Sequence, residues 1–201
     1  MIRRTVLLGL APLLLLAQSK PVIILLGPPG AGKSTQAEAL KRRLRVPVVS
    51  VSDVLKREID AKSPEGKSLR AAIESGQLLR TDMVNDMMER RLYEADTNGG
   101  FILDGYPLTQ SQAGFLDRTL LARGFPAPKV VVLEISDEAA LARTKSRGRA
   151  DDKAGLTTGR LAEYRKEEAF LKGHYKKQLL SVDAAPDAKT VEAAIQKALG
   201  H

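Results

Sequence analysis

Nine consecutive residues, Gly27-Pro28-Pro29-Gly30-Ala31-Gly32-Lys33-Ser34-Thr35, constrain this chain more than any others. They follow an apolar run, Val22 to Leu26, and open a helical pattern from Ser34 to Arg45. A strand therefore enters a glycine-rich turn and leaves it as a helix. Glycines let the backbone curl so that successive amide protons converge on phosphate oxygens, and the helix start adds the positive end of its dipole. In the spacing G-x-x-x-x-G-K-[ST], Lys33 bridges the outer phosphates and the Ser34 hydroxyl ligates Mg²⁺. Gly30, Ala31, Gly32, Lys33, Ser34 and Thr35 are accordingly candidates for holding ATP. Such a loop implies nucleotide binding, but GTPases, motors, transporters and small-molecule kinases all carry one.

The rest of the chain repeats the strand-then-helix order. Short runs rich in Val, Ile and Leu occur at Val46 to Val51, Phe101 to Leu103, Val130 to Ile135 and, more weakly, Leu179 to Val182. Near-continuous apolar runs of this length fit parallel strands covered on both faces. Helical patterns occupy Thr81 to Ala95, Ser111 to Ala122, Asp137 to Arg147 and Thr158 to Lys177. The alternation predicts an α/β fold, a doubly wound parallel five-stranded sheet of the P-loop NTPase type with helices on both faces. Ligands of such sheets lie beyond the carboxyl ends of the strands.

Composition excludes some chemistries and leaves others open. The 201 residues contain no cysteine, which removes disulfides, thiolate zinc sites and a cysteine nucleophile. The formal charge of +8 suits nucleic acid, an anionic membrane or small polyphosphates equally. No Lys/Arg run has interleaved aromatics on which bases could stack, which argues against nucleic acid. Residues 1–19 have the order of a secretory signal: Arg3 and Arg4, the apolar run Val6 to Ala17, then Ala17-Gln18-Ser19 with small residues where a signal peptidase reads. The run holds 12 residues, short of the roughly 18 to 20 that span a bilayer as a helix. A cleaved signal is expected rather than an anchor, with an extracytoplasmic (periplasmic) location and no stable membrane association of the mature chain. The alternative is an apolar extension on a cytoplasmic protein. Cleavage after Ser19 would remove Arg3 and Arg4 and lower the formal charge from +8 to +6.

Several motifs, in order along residues 21–201, resemble those of the adenylate kinases and UMP/CMP kinases, the nucleoside monophosphate kinase family. Gly27 to Gln36 resembles the family's phosphate loop, with Ser34 where the family usually has Gly. Val49-Ser50-Val51-Ser52-Asp53-Val54-Leu55-Lys56 is similar to the start of its monophosphate-binding segment, and Gly76-Gln77-Leu78-Leu79 with Thr81 to Met88 to the segment contacting the acceptor base. Phe101-Ile102-Leu103-Asp104-Gly105-Tyr106-Pro107, followed by Thr109 and Gln112, is the most specific match after the loop. Arg143, Arg147, Gly148-Arg149, Asp151-Asp152 and Arg160 resemble the arginines and paired carboxylates of its lid.

The resemblance implies one kinase domain over residues 20–201, with a helical acceptor-binding insertion at about 50–80 and a short lid at about 144–158. A lid that short and without cysteine is of the zinc-free type, and Mg²⁺ is the one metal implied. The implied reaction moves the γ-phosphate of MgATP to AMP, reversibly, in a monomer whose partners are small nucleotides. Lys33, Arg147, Arg149 and Arg160 would be catalytic, and Arg143 would hold ATP. Val51, Lys56, Arg57, Gln77, Leu78, Leu79, Gly105 and Gln112 would place AMP. Ser34 and Asp104 would hold Mg²⁺, directly or through water.

The residues support these roles independently. Asp104 ends an apolar strand, which sets a carboxylate beside the phosphate loop. Gly105 permits close approach of a ligand to the backbone, and Gln112 carries both a donor and an acceptor for a base edge. Arg143 and Arg147 are four apart on one helical face, and Arg149 and Arg160 are eleven apart, close to three turns. Gly148, Gly155 and Gly159 supply hinge freedom for folding this segment over the loop. Besides Ser34, three positions depart from the family pattern, all on the acceptor side: Leu108 and Lys56 stand where it has arginines, and Val51 where it often has threonine. Lysine replaces a bidentate fork by a point charge, and Arg80 is a candidate substitute. These departures keep a UMP/CMP kinase, another nucleoside monophosphate kinase, or a nucleotide-binding protein with a degenerate acceptor site as alternatives. His174, His201 and the Glu167-Glu168 pair read as solvated, and Met83, Met87 and Met88 as core.

Overall fold

Strand β1 (Val22–Leu26) is buried along its whole length and divides the core in two. Alternate side chains of a strand point to opposite faces, so Val22, Ile24 and Leu26 join one apolar cluster and Ile23 and Leu25 the other. The computed structural model describes residues 20–61, 64–74, 79–147 and 154–200. The remaining elements are α1 (Lys33–Leu44), β2 (Val48–Ser50), α2 (Val51–Asp60), α3 (Pro64–Glu74), α4 (Thr81–Leu92), β3 (Phe101–Asp104), α5 (Gln110–Ala122), β4 (Lys129–Glu134), α6 (Asp137–Arg147), α7 (Ala154–His174), β5 (Leu179–Asp183) and α8 (Ala188–Leu199).

The sheet is parallel throughout, in the order β2-β3-β1-β4-β5. Helices α4 and α5, the C-terminal half of α7 and the inner side of α2 cover one face, through Met88, Leu92, Leu116, Leu171 and Val54. Helices α1 and α8 cover the other, through Ala37, Leu40, Ile195 and Leu199. The expected five-stranded α/β fold with helices on both faces is the one observed.

Apart from one further helix, the differences lie at element ends and have local causes. Val51 is the first residue of α2, not the end of a strand, because the Ser50 side chain caps the helix by accepting the Asp53 N–H at 3.0 Å. Helix α7 begins at Ala154, four residues before the expected Thr158, and so includes Gly155 and Gly159, which were expected as hinges. The buried series Thr157, Leu161, Tyr164, Leu171 and Tyr175 follows helical spacing and outweighs the low propensity of those glycines. Helix α8, unforeseen, is capped by Asp187 and ends at Gly200 with φ +83°. Of the expected lid, residues 144–147 close α6 and 154–158 open α7. The leader, Gln77, Leu78, Gly148, Arg149, Asp151, Asp152 and His201 lie outside the described residues.

Candidate active site

The phosphate loop bends where its glycines adopt positive φ: +147° at Gly27, +87° at Gly30 and +91° at Gly32. Two of them also make room for neighbours. A Cβ on Gly30 would stand 2.2 Å from the Ala140 carbonyl oxygen of α6, and one on Gly27 would stand 2.9 Å from that of Leu133 in β4. Gly32 meets nothing within 4 Å, so its requirement is conformational. It precedes α1 without any side-chain cap. The first amides of α1 therefore face the cup of the loop, an arrangement suited to an anion.

Lys33 opens α1 and bends back over the loop, donating to the carbonyl oxygens of Gly27 at 2.7 Å and Pro28 at 2.9 Å. Burial pushes its ammonium down to about 8, against the pull of Asp104, and Arg160 and Arg147 push it further down. These four groups thus share one electrostatic field. Asp104 sits there because β3 pairs with β1 in the register Leu25 to Asp104 and with β2 in the register Ser50 to Asp104. Its side chain is buried. Ser34 is exposed in the first turn of α1.

A cavity of about 310 Å³ adjoins the loop between α1, α6 and the β5–α8 connection, and Gly30, Ala31, Gly32, Thr35, Arg143 and Arg147 are among the residues lining it. Most of the residues expected to hold ATP thus share one concavity. Arg143 is fixed in its wall, donating to the carbonyl oxygens of Ala184 and Ala185, both at 2.7 Å, and of Pro186 at 3.1 Å. Gln36 also lines this cavity and has no counterpart among the sequence-derived candidates. Its Nε2 donates to the Ala188 carbonyl at 3.0 Å, while its Oε1 is buried without a partner among the described residues. A polar residue one position before the buried Ala37 was the available signal.

The acceptor side is built differently. Gly105 has φ +78° and nothing within 4 Å of a Cβ, and the Tyr106–Pro107 peptide that follows is cis. Tyr106 is fully buried, its hydroxyl donating to Asn85 Oδ1 at 2.7 Å. The Leu108 N–H donates to Gln112 Oε1 at 2.7 Å, so this carbonyl is already engaged and the amide nitrogen is the freer end for a base. Leu79 and Val51 pack against the apolar cluster, and Lys56 is exposed on α2. Arg57 donates to Glu94 through both terminal nitrogens, which raises its already high pKa. Because α2 descends from the carboxyl end of β2, that contact draws Arg57 toward the opposite end of the sheet. Arg80 is exposed and paired with Asp82 in the first turn of α4. Val51 and Leu79 thus pack on the cluster that includes Tyr106, the neighbour of Gly105, whereas Arg57 and Arg80 are engaged by carboxylates of the protein itself.

Two readings of charged residues need correction. Glu168 is mostly buried, accepting from Arg165 at 2.7 Å and Lys172 at 2.9 Å; Arg165 also reaches Asp137 and the Ile135 carbonyl. Glu167 accepts the Gln110 N–H at 3.3 Å. These contacts tie α7, which carries Arg160, to the carboxyl end of β4. His174 is exposed, as expected, while lying 2.6 Å from Asp117 and packing edge-on against Tyr175. Met87 and Met88 are core as expected, whereas Met83 is exposed.

Comparison with known proteins agrees with this geometry. Residues 25–180 match the family described as adenylate kinase. The chain is 39% identical over 178 residues to the adenylate kinase of Mycobacterium tuberculosis (strain ATCC 25618 / H37Rv), covering 89% of this chain and 98% of that protein. It is 38% identical over 178 residues, with the same coverage, to the adenylate kinase of Corynebacterium glutamicum (strain R). A phosphate loop, a buried aspartate at the end of the neighbouring strand and arginines acting on its lysine occur in a chain matched over most of its length. The chain therefore belongs to the adenylate kinase family.

Proposed function

We propose that the chain catalyses ATP + AMP = 2 ADP. The observation that carries this is the shared field of Lys33, Asp104, Arg147 and Arg160 around an uncapped helix start. An oxygen of the AMP phosphate attacks the γ-phosphorus, the bond from that phosphorus to the β,γ-bridging oxygen breaks, and ADP leaves. The attacking oxygen is already anionic, so no general base and no covalent enzyme intermediate is required. Catalysis then rests on positioning and on stabilising charge on the transferring group. The loop amides and Lys33 hold the donor's outer phosphates, Arg143 and Gln36 wall the cavity beside them, and Arg147, Arg149 and Arg160 neutralise the group in transit.

The oxygens of Asp104 and Ser34 suit Mg²⁺, which keeps several waters and takes one or two protein ligands plus substrate phosphates. No cluster of three or more His, Asp or Glu occurs among the described residues, and this ion needs none. When bound, it would supply charge neutralisation to the phosphates in transit. Gly105, Gln112, Leu79 and Val51 line the acceptor base, and Lys56 meets its phosphate as a point charge; the family resemblance adds Gln77 and Leu78, which are outside the described residues. The position of Arg57 and the apolar Leu108 favour a second reading, a preference for another nucleoside monophosphate. A coupled assay with AMP, UMP, CMP and GMP tests both: AMP is expected to have the highest kcat/KM, another leader supports the second reading, and turnover of none contradicts both. The leader further supports export with cleavage after Ser19, which N-terminal sequencing of protein from its own cell would check.

A further inference from the structure

The end of the sheet opposite the nucleotide site is strongly basic. Arg42 and Arg43 end α1 and Arg45 leads into β2, Lys176 and Lys177 lead into β5, and Lys20 leads into β1. All six are exposed. No acidic residue occurs between Glu38 and Asp53 or between Glu168 and Asp183. Glu94 and Asp96, at the corner between α4 and β3, are already paired with Arg57 and Arg91. Since β2 and β5 are the two edge strands, the cations extend across the full sheet, about 20 Å at the usual strand spacing. That is a broad face rather than a groove.

Apolar groups share this end. Among the exposed large hydrophobics, Tyr93 at the end of α4 and Leu121 at the end of α5 lie here, 56% and 79% exposed. Lys20 lies 5.5 Å over the Phe125 ring at this same end.

We propose that this face docks on an anionic phospholipid bilayer. Exposed cations over a wide surface match the negative potential of acidic headgroups, each Lys or Arg contributing about a fivefold gain in affinity. An exposed Tyr and Leu fit the headgroup boundary, where amphipathic and apolar side chains partition. Among the described residues the face has a single exposed aromatic, Tyr93, whose ring already lies under the Arg123 guanidinium at 5.2 Å, so six spread cations fit lipid headgroups better than stacked bases. The association is peripheral and salt-sensitive, and it does not depend on whether the leader is retained. Docking by this end leaves the phosphate loop and its cavity directed away from the membrane.

The test is co-sedimentation of the full chain with vesicles of phosphatidylcholine alone or with about 30% phosphatidylglycerol. Binding is expected to the anionic vesicles, with at least a tenfold loss in half-molar salt. A variant combining Arg42→Gln, Arg43→Gln, Arg45→Gln, Lys176→Gln and Lys177→Gln is expected to lose at least tenfold in vesicle affinity while keeping phosphotransfer in solution, which also shows that it folds. Equal binding to neutral vesicles, insensitivity to salt, or unchanged binding by the variant would overturn the proposal. So would tighter binding to single-stranded or duplex DNA than to anionic vesicles, lost in the same variant.

Discussion

The donor and acceptor halves of the cleft are made of different material. On the donor side the ligand-facing groups are mostly backbone: loop amides held by glycines that touch α6 and β4, and an arginine fixed by three carbonyls of the β5–α8 connection. On the acceptor side the cations are long side chains on helices, and two of the three named arginines and lysines are paired with carboxylates of the protein itself. A backbone site is preorganised by the fold, so it changes little with substitution elsewhere. A side-chain site is set residue by residue, and Val51, Lys56 and Leu108 are where this one departs from the family pattern.

The comparison can be broken at four points. Replacing Lys33 by Met, a change in the preorganised half, is expected to lower kcat by about 100- to 1000-fold, the effect of deleting one electrostatic stabiliser; a coupled ADP assay reads it. Leu108→Arg adds a charged fork next to Gln112, and a charge-assisted hydrogen bond is worth about 1.5–3 kcal/mol. It should raise kcat/KM for AMP about tenfold or more without changing KM for ATP, and an equal change in both would show that the halves are not separable.

Acidity gives a smaller effect. Lys33 is held down to about 8 by burial, and a bound polyphosphate favours its protonated form. ATP binding near pH 8 should therefore take up a fraction of a proton, and affinity should fall several-fold as pH rises from 7 to 9. Calorimetry in buffers of different ionisation enthalpy measures the uptake, and Lys33→Met should abolish it. Smallest is Arg57→Met. An exposed ion pair contributes about 0–1 kcal/mol, so loss of the Glu94 contact should lower stability by no more than that and leave KM for AMP within about twofold. A tenfold rise in KM would instead put Arg57 on the acceptor.

The same division explains what could be read from the chain. The phosphate loop was legible because backbone geometry needs specific residues, glycine at 27, 30 and 32, in a fixed order, and the five parallel strands followed from their apolar runs, whereas their order in the sheet did not. Asp104 was legible as the polar end of such a run. Arg57 was not, because its partner Glu94 is 37 residues away and nothing local tells a solvated cation from a tethered one. Glu168 illustrates the same point: its partners on α7 are local, but the strand end and loop that complete the network, at Glu134, Ile135 and Asp137, are about thirty or more residues distant. Helix α8 was legible in principle, from the Asp187 cap, the spacing of Val191, Ile195 and Leu199, and Gly200 at its end. Gln36 was hidden by its position on a helix face that otherwise reads as core.

The most direct measurement is a reaction of the purified chain with ATP, Mg²⁺ and AMP in which ADP is counted. The account predicts two ADP for each ATP consumed, dependent on AMP and nearly abolished by Lys33→Met. Normal ATP binding with no ADP formed from AMP, UMP, CMP or GMP would contradict it.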